Sequence, residues 1–189
     1  MIRFRQSDAK TLEALVLLAQ ERPGIDVFHI CKVLYFADKE HLNRYGRPIL
    51  GDHYFALPEG PVPSRALNMV KRNQLSLSGY VLEQLSMALT LFQKKGEEYA
   101  HIEAIREPDL DQFSDTDLEC LNWAIKKFAD LPTSKLWEIG HKENSYNAAW
   151  EKRNGRRALM DYALMVDPNN PLHDEIIKDL QENARVIAF

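Results

Sequence analysis

The side chains best suited to metal or nucleophile chemistry in this sequence are six histidines and two cysteines, so their spacing decides what they can do. His29, His41, His53, His101, His141 and His173 are dispersed, with neither a His-x-x-x-His pair nor a compact His and Cys cluster, and no metal site is expected. Cys31 and Cys120 have no Cys-x-x-Cys partner and fall within apolar helical patterns, which predicts buried free thiols. There is no Gly-x-Ser-x-Gly, no Gly-x-x-x-x-Gly-Lys-Ser/Thr and no Gly-x-Gly-x-x-Gly, so the easily read hydrolase, nucleoside-triphosphatase and dinucleotide signatures are lacking. What survives is an acid–base site made of His41, Asp52, His53 and His141, should the fold bring them together. His41 also shares an apolar helical stripe with Leu34 and Ala37, which favours a hydrogen-bonded structural role.

The segment Glu59-Gly60-Pro61-Val62-Pro63-Ser64 has a different physical content. Gly60 and Val62 each precede a proline and are pushed toward extended geometry, while Pro61 and Pro63 fix φ. The expectation is a rigid loop that presents Val62 as an apolar contact at a small ordering cost. The same residues would equally serve to join an extended segment to a helix starting near Ser64.

Positioning these residues falls to helices around a small sheet. Leu12, Leu15, Val16 and Ala19 recur at helical spacing after the caps Ser7 or Asp8 and stop at Pro23-Gly24. Asp26 caps a second helix carrying Ile30, Val33, Leu34, Ala37 and His41 to Gly46. Ile49 to Leu57 reads as a short extended segment followed by a turn, and Ser64 to Arg72 as a helix. Leu75 to Gln93 fits either period: Leu85, Met87, Leu89 and Leu91 alternate like a strand, while Leu82, Leu85 and Leu89 suit a helix. Glu98 to Arg106 is a predicted strand. Ser114 and Asp117 form a capping box, with Phe113 and Leu118 as a staple, for a helix expected to bury Leu118, Leu121, Ile125 and Phe128. Short helices around Leu136–His141 and Tyr146–Lys152 and a last one from His173 to Arg185 complete a mainly α chain of the α+β class, a compact helical domain with a small β-sheet or hairpin. A single globular domain over residues 1–189 is expected, with 156–189 as a C-terminal segment carrying that last helix.

With 24 Lys plus Arg against 28 Asp plus Glu, the formal charge is -4. Residues 1–80 carry 11 basic and 8 acidic side chains, and residues 81–189 carry 13 and 20. No basic face for phosphates is predicted, so binding to nucleic acid is disfavoured. The acidic stretch Glu97 to Glu119 reads as a solvated surface, or else as a docking face for a basic partner. The longest uninterrupted apolar run, Ala14 to Ala19, is far shorter than the roughly 20 residues that span a bilayer, and no secretory signal is read at the N-terminus. A cytoplasmic location is expected.

Several pieces now fall in order. Cys31-Lys32-Val33-Leu34-Tyr35-Phe36-Ala37-Asp38-Lys39-Glu40-His41-Leu42, then Tyr45-Gly46-Arg47-Pro48-Ile49, Gly51-Asp52 with Tyr54 and Ala56, and Gly60-Pro61-Val62-Pro63-Ser64 resemble the signature of the Panacea antitoxin domain, a family common in bacteria and their phages. Leu136 with Gly140-His141, followed by Trp150, resembles that family's second patch, so the likeness covers most of residues 7–155. The resemblance implies a non-enzymatic antitoxin that neutralises a cognate toxin by direct protein contact, with no cofactor and no catalytic residues. The alternatives are an adaptor that delivers a bound protein to a protease, and a small enzyme using His41, Asp52 and His141. For the partner-binding surface, the matched positions that packing least requires are Asp38, His41, Tyr45, Asp52, Tyr54, Pro61, Val62, Pro63 and His141. A charged residue at Val62 is expected to weaken partner binding and leave the fold intact.

Overall fold

The computed structural model describes residue 2 and residues 4–187, with residues 183–187 described by backbone alone. The Ser7 side chain accepts from the Lys10 N–H and starts α1 (Asp8–Glu21). A two-residue strand, β1 (Ile25–Asp26), leads directly into α2 (Val27–Tyr45), where the Asp26 carboxylate accepts from the His29 N–H. Gly46 closes α2 at φ 73°, a left-handed position that favours glycine, and its N–H donates to the Leu42 carbonyl. Then follow β2 (Tyr54–Leu57), β3 (Gly60–Pro63), α3 (Ser64–Val70), α4 (Gly79–Ala88), β4 (Leu89–Gln93) and β5 (Ala100–Ala104). The C-terminal part holds α5 (Asp115–Phe128), α6 (Thr133–His141), α7 (Asn144–Glu151), β6 (Ala158–Leu159) and α8 (His173–Ile187). No described helix is long and apolar enough to cross a membrane.

The strands form two three-stranded antiparallel sheets, in the orders β1-β5-β4 and β3-β2-β6, so the chain is α+β as its patterning predicts. The two sheets flank α2, which packs on α5, α6, α3 and β3 and supplies the fully buried Val33, Leu34 and Tyr35 to the core. The capping box of α5 is formed from both sides: Ser114 Oγ accepts from the Asp117 N–H, and the Asp117 carboxylate accepts from the Ser114 N–H. Cys31 and Cys120 are buried free thiols, and burial pushes both up to about 11.

Leu75 to Gln93 fits both periods because it is both elements. Ser78 caps α4, which buries Val81 and Leu85, and the chain passes at Leu89 straight into β4 without a connecting loop. The segment from Gly60 to Pro63 corrects the expectation of a loop: it is an edge strand, paired with Tyr54–Leu57 across a turn at Pro58-Glu59. Gly60 also departs from the extended geometry expected before a proline, because at φ 95° it enters a region open to glycine but not to the residue types for which that rule holds.

One junction should carry a pH dependence. The His29 ring lies between two acceptors, with Nδ1 2.7 Å from the Asp26 carboxylate and Nε2 2.8 Å from the Leu131 carbonyl. Both nitrogens can donate only when the ring is charged. Burial opposes that charge, but Asp26 and the Leu131 carbonyl outweigh it and hold the pKa above the ordinary 6.5. A folded-state pKa above the unfolded one gives stability that is complete below 6.5 and is lost as pH rises through the raised value. The urea midpoint is expected to fall as pH rises above 6.5, and His29→Gln is expected to flatten that fall.

Candidate functional site

The structure divides the nine candidate contact residues sharply. Asp38, at the centre of α2, is fully buried; its Oδ1 accepts from the Ile49 and Leu50 N–H groups at 2.9 Å each, and its Oδ2 from the Tyr54 hydroxyl at 3.0 Å. Asp52 accepts from the Arg65 and Ala66 N–H groups, both at 2.9 Å, and so holds the first turn of α3. His41 Nδ1 donates to the Arg47 carbonyl at 2.7 Å, and Nε2 lies 3.0 Å from Thr116 Oγ1 and 3.1 Å from Asp117. Asp117 also pairs with Lys10 at 2.6 Å and Arg47 at 3.0 Å, contacts that outweigh its burial and hold its carboxyl below the usual range. Burial depresses the His41 pKa.

As surface contacts, Asp38, His41, Asp52, Tyr54, Pro61, Val62 and Pro63 are therefore corrected. All seven are buried, and the polar atoms of the first four are taken up by internal partners. Asp38 fastens α2 to the loop before β2, and Asp52 fastens that loop to α3. Val62 faces the core at 6% exposure, opposite Phe55. Val62→Asp is expected to abolish cooperative unfolding, checked by circular dichroism during a thermal melt, because it buries an unpaired charge. His41, Asp52 and His141 hold separate sets of partners, and no hydrogen bond or ion pair links them. Among the described residues no three His, Cys, Asp or Glu side chains are grouped as a metal site would require.

Tyr45 and His141 remain at the surface. Tyr45 is partly exposed on α2, and its hydroxyl donates to Glu119 at 2.7 Å, beside the Arg44–Glu119 ion pair. The acidic stretch is thus partly neutralised from within the fold, at Glu119 and at Asp117.

His141 sits at the centre of a larger group. Its ring nitrogens face the carbonyls of Trp137 (2.8 Å) and Pro58 (2.9 Å), and the Tyr146 hydroxyl donates to the Leu57 carbonyl at 3.1 Å. Together they pin the β2–β3 turn. The Trp137 ring stacks on His141 with centroids 3.6 Å apart, His141 meets Tyr146 edge-on at 4.8 Å, and Tyr146 stacks on Trp150 at 5.8 Å. The Arg153 guanidinium lies 3.8 Å from the Trp150 ring centroid, and Arg157 lies over Phe55 at 5.1 Å. Trp137, at 43% exposure, forms one end of this ladder and Arg153 the other. Trp137, Trp150 and Arg153 were not singled out as contacts, although helical spacing carried the signal: Trp137 and His141, and Tyr146 and Trp150, stand four apart, and Trp150 and Arg153 three apart.

Residues 30–147 match the model of the family described as Antitoxin SocA-like, Panacea domain. The chain belongs to this family. No curated protein and no solved structure matches it. The Panacea match runs from α2 into α7, so it takes in Asp38, Asp52, the β2–β3 turn and His141, while Trp150 and Arg153 lie beyond its end. The family's antitoxin-like character comes with the match.

Proposed function

We propose that this Panacea-domain chain is a non-enzymatic antitoxin that neutralises a cognate toxin by direct contact in the cytoplasm, through the aromatic and arginine face around the β2–β3 turn. The observation that carries the reading is the ladder in which Trp137, His141, Trp150 and Arg153 reach the surface and the buried Tyr146 supports them from beneath. Trp, Tyr and Arg are the residues that dominate binding energy at protein interfaces. Here they are held rigid by stacking and by the pinned turn, so little side-chain entropy is lost on binding. The exposed Lys152, Arg153, Arg156 and Arg157 make the rim cationic, which suits an acidic rim on the toxin.

The test is co-expression with the product of the adjacent reading frame. Growth should be rescued, and the two proteins should co-elute as a stable complex after purification. Rescue that disappears in a host lacking its main cytoplasmic proteases would replace occlusion by delivery to a protease. Turnover of a small molecule that depends on His41 or His141 would overturn the non-enzymatic reading.

A further inference from the structure

Lys32 is the one member of the α2 motif whose burial the fold does not explain. Its side chain is 1% exposed, and among the described residues no carboxylate lies within ion-pair distance of its ammonium. Nζ donates to the Pro61 carbonyl at 3.1 Å and sits 4.6 Å from the Phe28 ring centroid, leaving donor capacity unused. Two glycines make room for it: a Cβ on Gly60 would approach Lys32 Cε to 3.2 Å, and one on Gly140 to 3.5 Å. A buried charge without an opposite charge is costly, so a fold that keeps one has a use for it or loses stability through it.

Lys32 is among the residues that line a cleft of about 1040 Å³ between the two sheets. Phe28, Val62, Leu67, Val70 and Leu91 make its walls predominantly apolar, and Lys71 and Arg156 add positive charge against Glu59 and Glu98. That is the usual composition of a small-molecule site: apolar walls with a few convergent polar groups. We propose that this cleft binds a small carboxylic acid with an apolar body, its carboxylate completing the hydrogen bonds of the Lys32 ammonium. Glu59 acts on the ammonium only from beyond ion-pair distance, so the place of a direct counter-ion sets the charge of the ligand head, and the walls set the character of its body. Burial holds the ammonium down to about 8, so at neutral pH it still carries the proton that a carboxylate needs. The site is separate from the aromatic ladder, although both meet the β2–β3 turn, and it does not depend on the antitoxin reading.

Decanoate and decanol, titrated calorimetrically into the full chain, test this directly. Decanoate should bind one site and raise the melting temperature, and decanol should bind at least about tenfold more weakly. Lys32→Met should erase that preference, and Leu91→Trp, which fills the cleft away from the ammonium, should weaken both ligands. Absence of decanoate binding to the native chain, equal binding of the two ligands, or an unchanged preference in Lys32→Met would overturn the proposal. Should Lys32→Met not fold, the native comparison and Leu91→Trp decide it.

Discussion

Asp38→Ala is expected to lose about 4 kcal/mol of stability, a large share of the roughly 5–15 kcal/mol that holds a domain folded, whereas Asp38→Asn should change it by about 1 kcal/mol or less. The alanine leaves the Ile49 and Leu50 N–H groups buried without their acceptor and takes away one of the two acceptors within reach of the Tyr54 hydroxyl. Asparagine keeps Oδ1 for the two N–H groups and turns an amide N–H toward Tyr54 Oη, whose own proton can pass to the Leu34 carbonyl 3.2 Å away. Burial pushes the Asp38 carboxyl up to about 6, overcoming the three donors that favour its charged form. An acid whose folded pKa lies above its unfolded value binds protons more tightly when folded. Its contribution is therefore greatest below about 3.8 and is lost as pH rises through about 6. Chemical denaturation of the native chain and both variants at pH values on either side of that window checks the claim. A similar loss in Asn and Ala would show that the negative charge itself, rather than acceptor geometry, is required.

Trp137→Ala should weaken the toxin complex by about 2 kcal/mol or more, a factor of about 30, while shifting folding stability by about 1 kcal/mol at most. The side chain is 43% exposed, stacks on His141 and lies outside the buried core, so its removal should cost the interface more than the fold. Tyr45→Ala, at the exposed C-terminal end of α2, is the matched comparison. Binding measured by calorimetry should be insensitive to it. If Tyr45→Ala abolishes the complex and Trp137→Ala leaves it intact, the contact surface is the α2–α5 face and the proposed site is wrong.

Local signals wrote most of the helices plainly. Ser114 with Asp117, Asp26 before Val27, and Gly46 after Tyr45 each place a cap where the chain starts or ends an element, because caps act within one turn. Strand β3 was harder, since Pro61 and Pro63 argue against any ladder. Its place at the edge of the sheet resolves this: an edge strand can turn a proline's missing N–H away from its neighbour at no cost in ladder bonds. The residues of interest were legible as types and illegible as positions. Asp38, His41 and Asp52 stood out as polar side chains in apolar surroundings, but whether such a residue faces water or an internal donor depends on partners up to 76 positions away, such as Asp117 for His41. The ladder is hidden for the opposite reason: Trp150 stands out only through the resemblance, Trp137 and Arg153 carry no motif, and their exposure and stacking emerge only with the fold.

The pairing of Phe55 with Leu159 and of Ala56 with Ala158 has a consequence for the order of events on the ribosome. Strand β2 is synthesised early and can pair at once with β3, but its other edge stays bare until the chain has grown by about a hundred residues. Closing so long a loop is slow relative to local pairing. During that interval Tyr54 to Leu57 presents an open strand edge, the kind of template on which unfinished chains associate with one another. Nascent or truncated forms ending before Ala158 should therefore depend on chaperone cover in a way the finished chain does not.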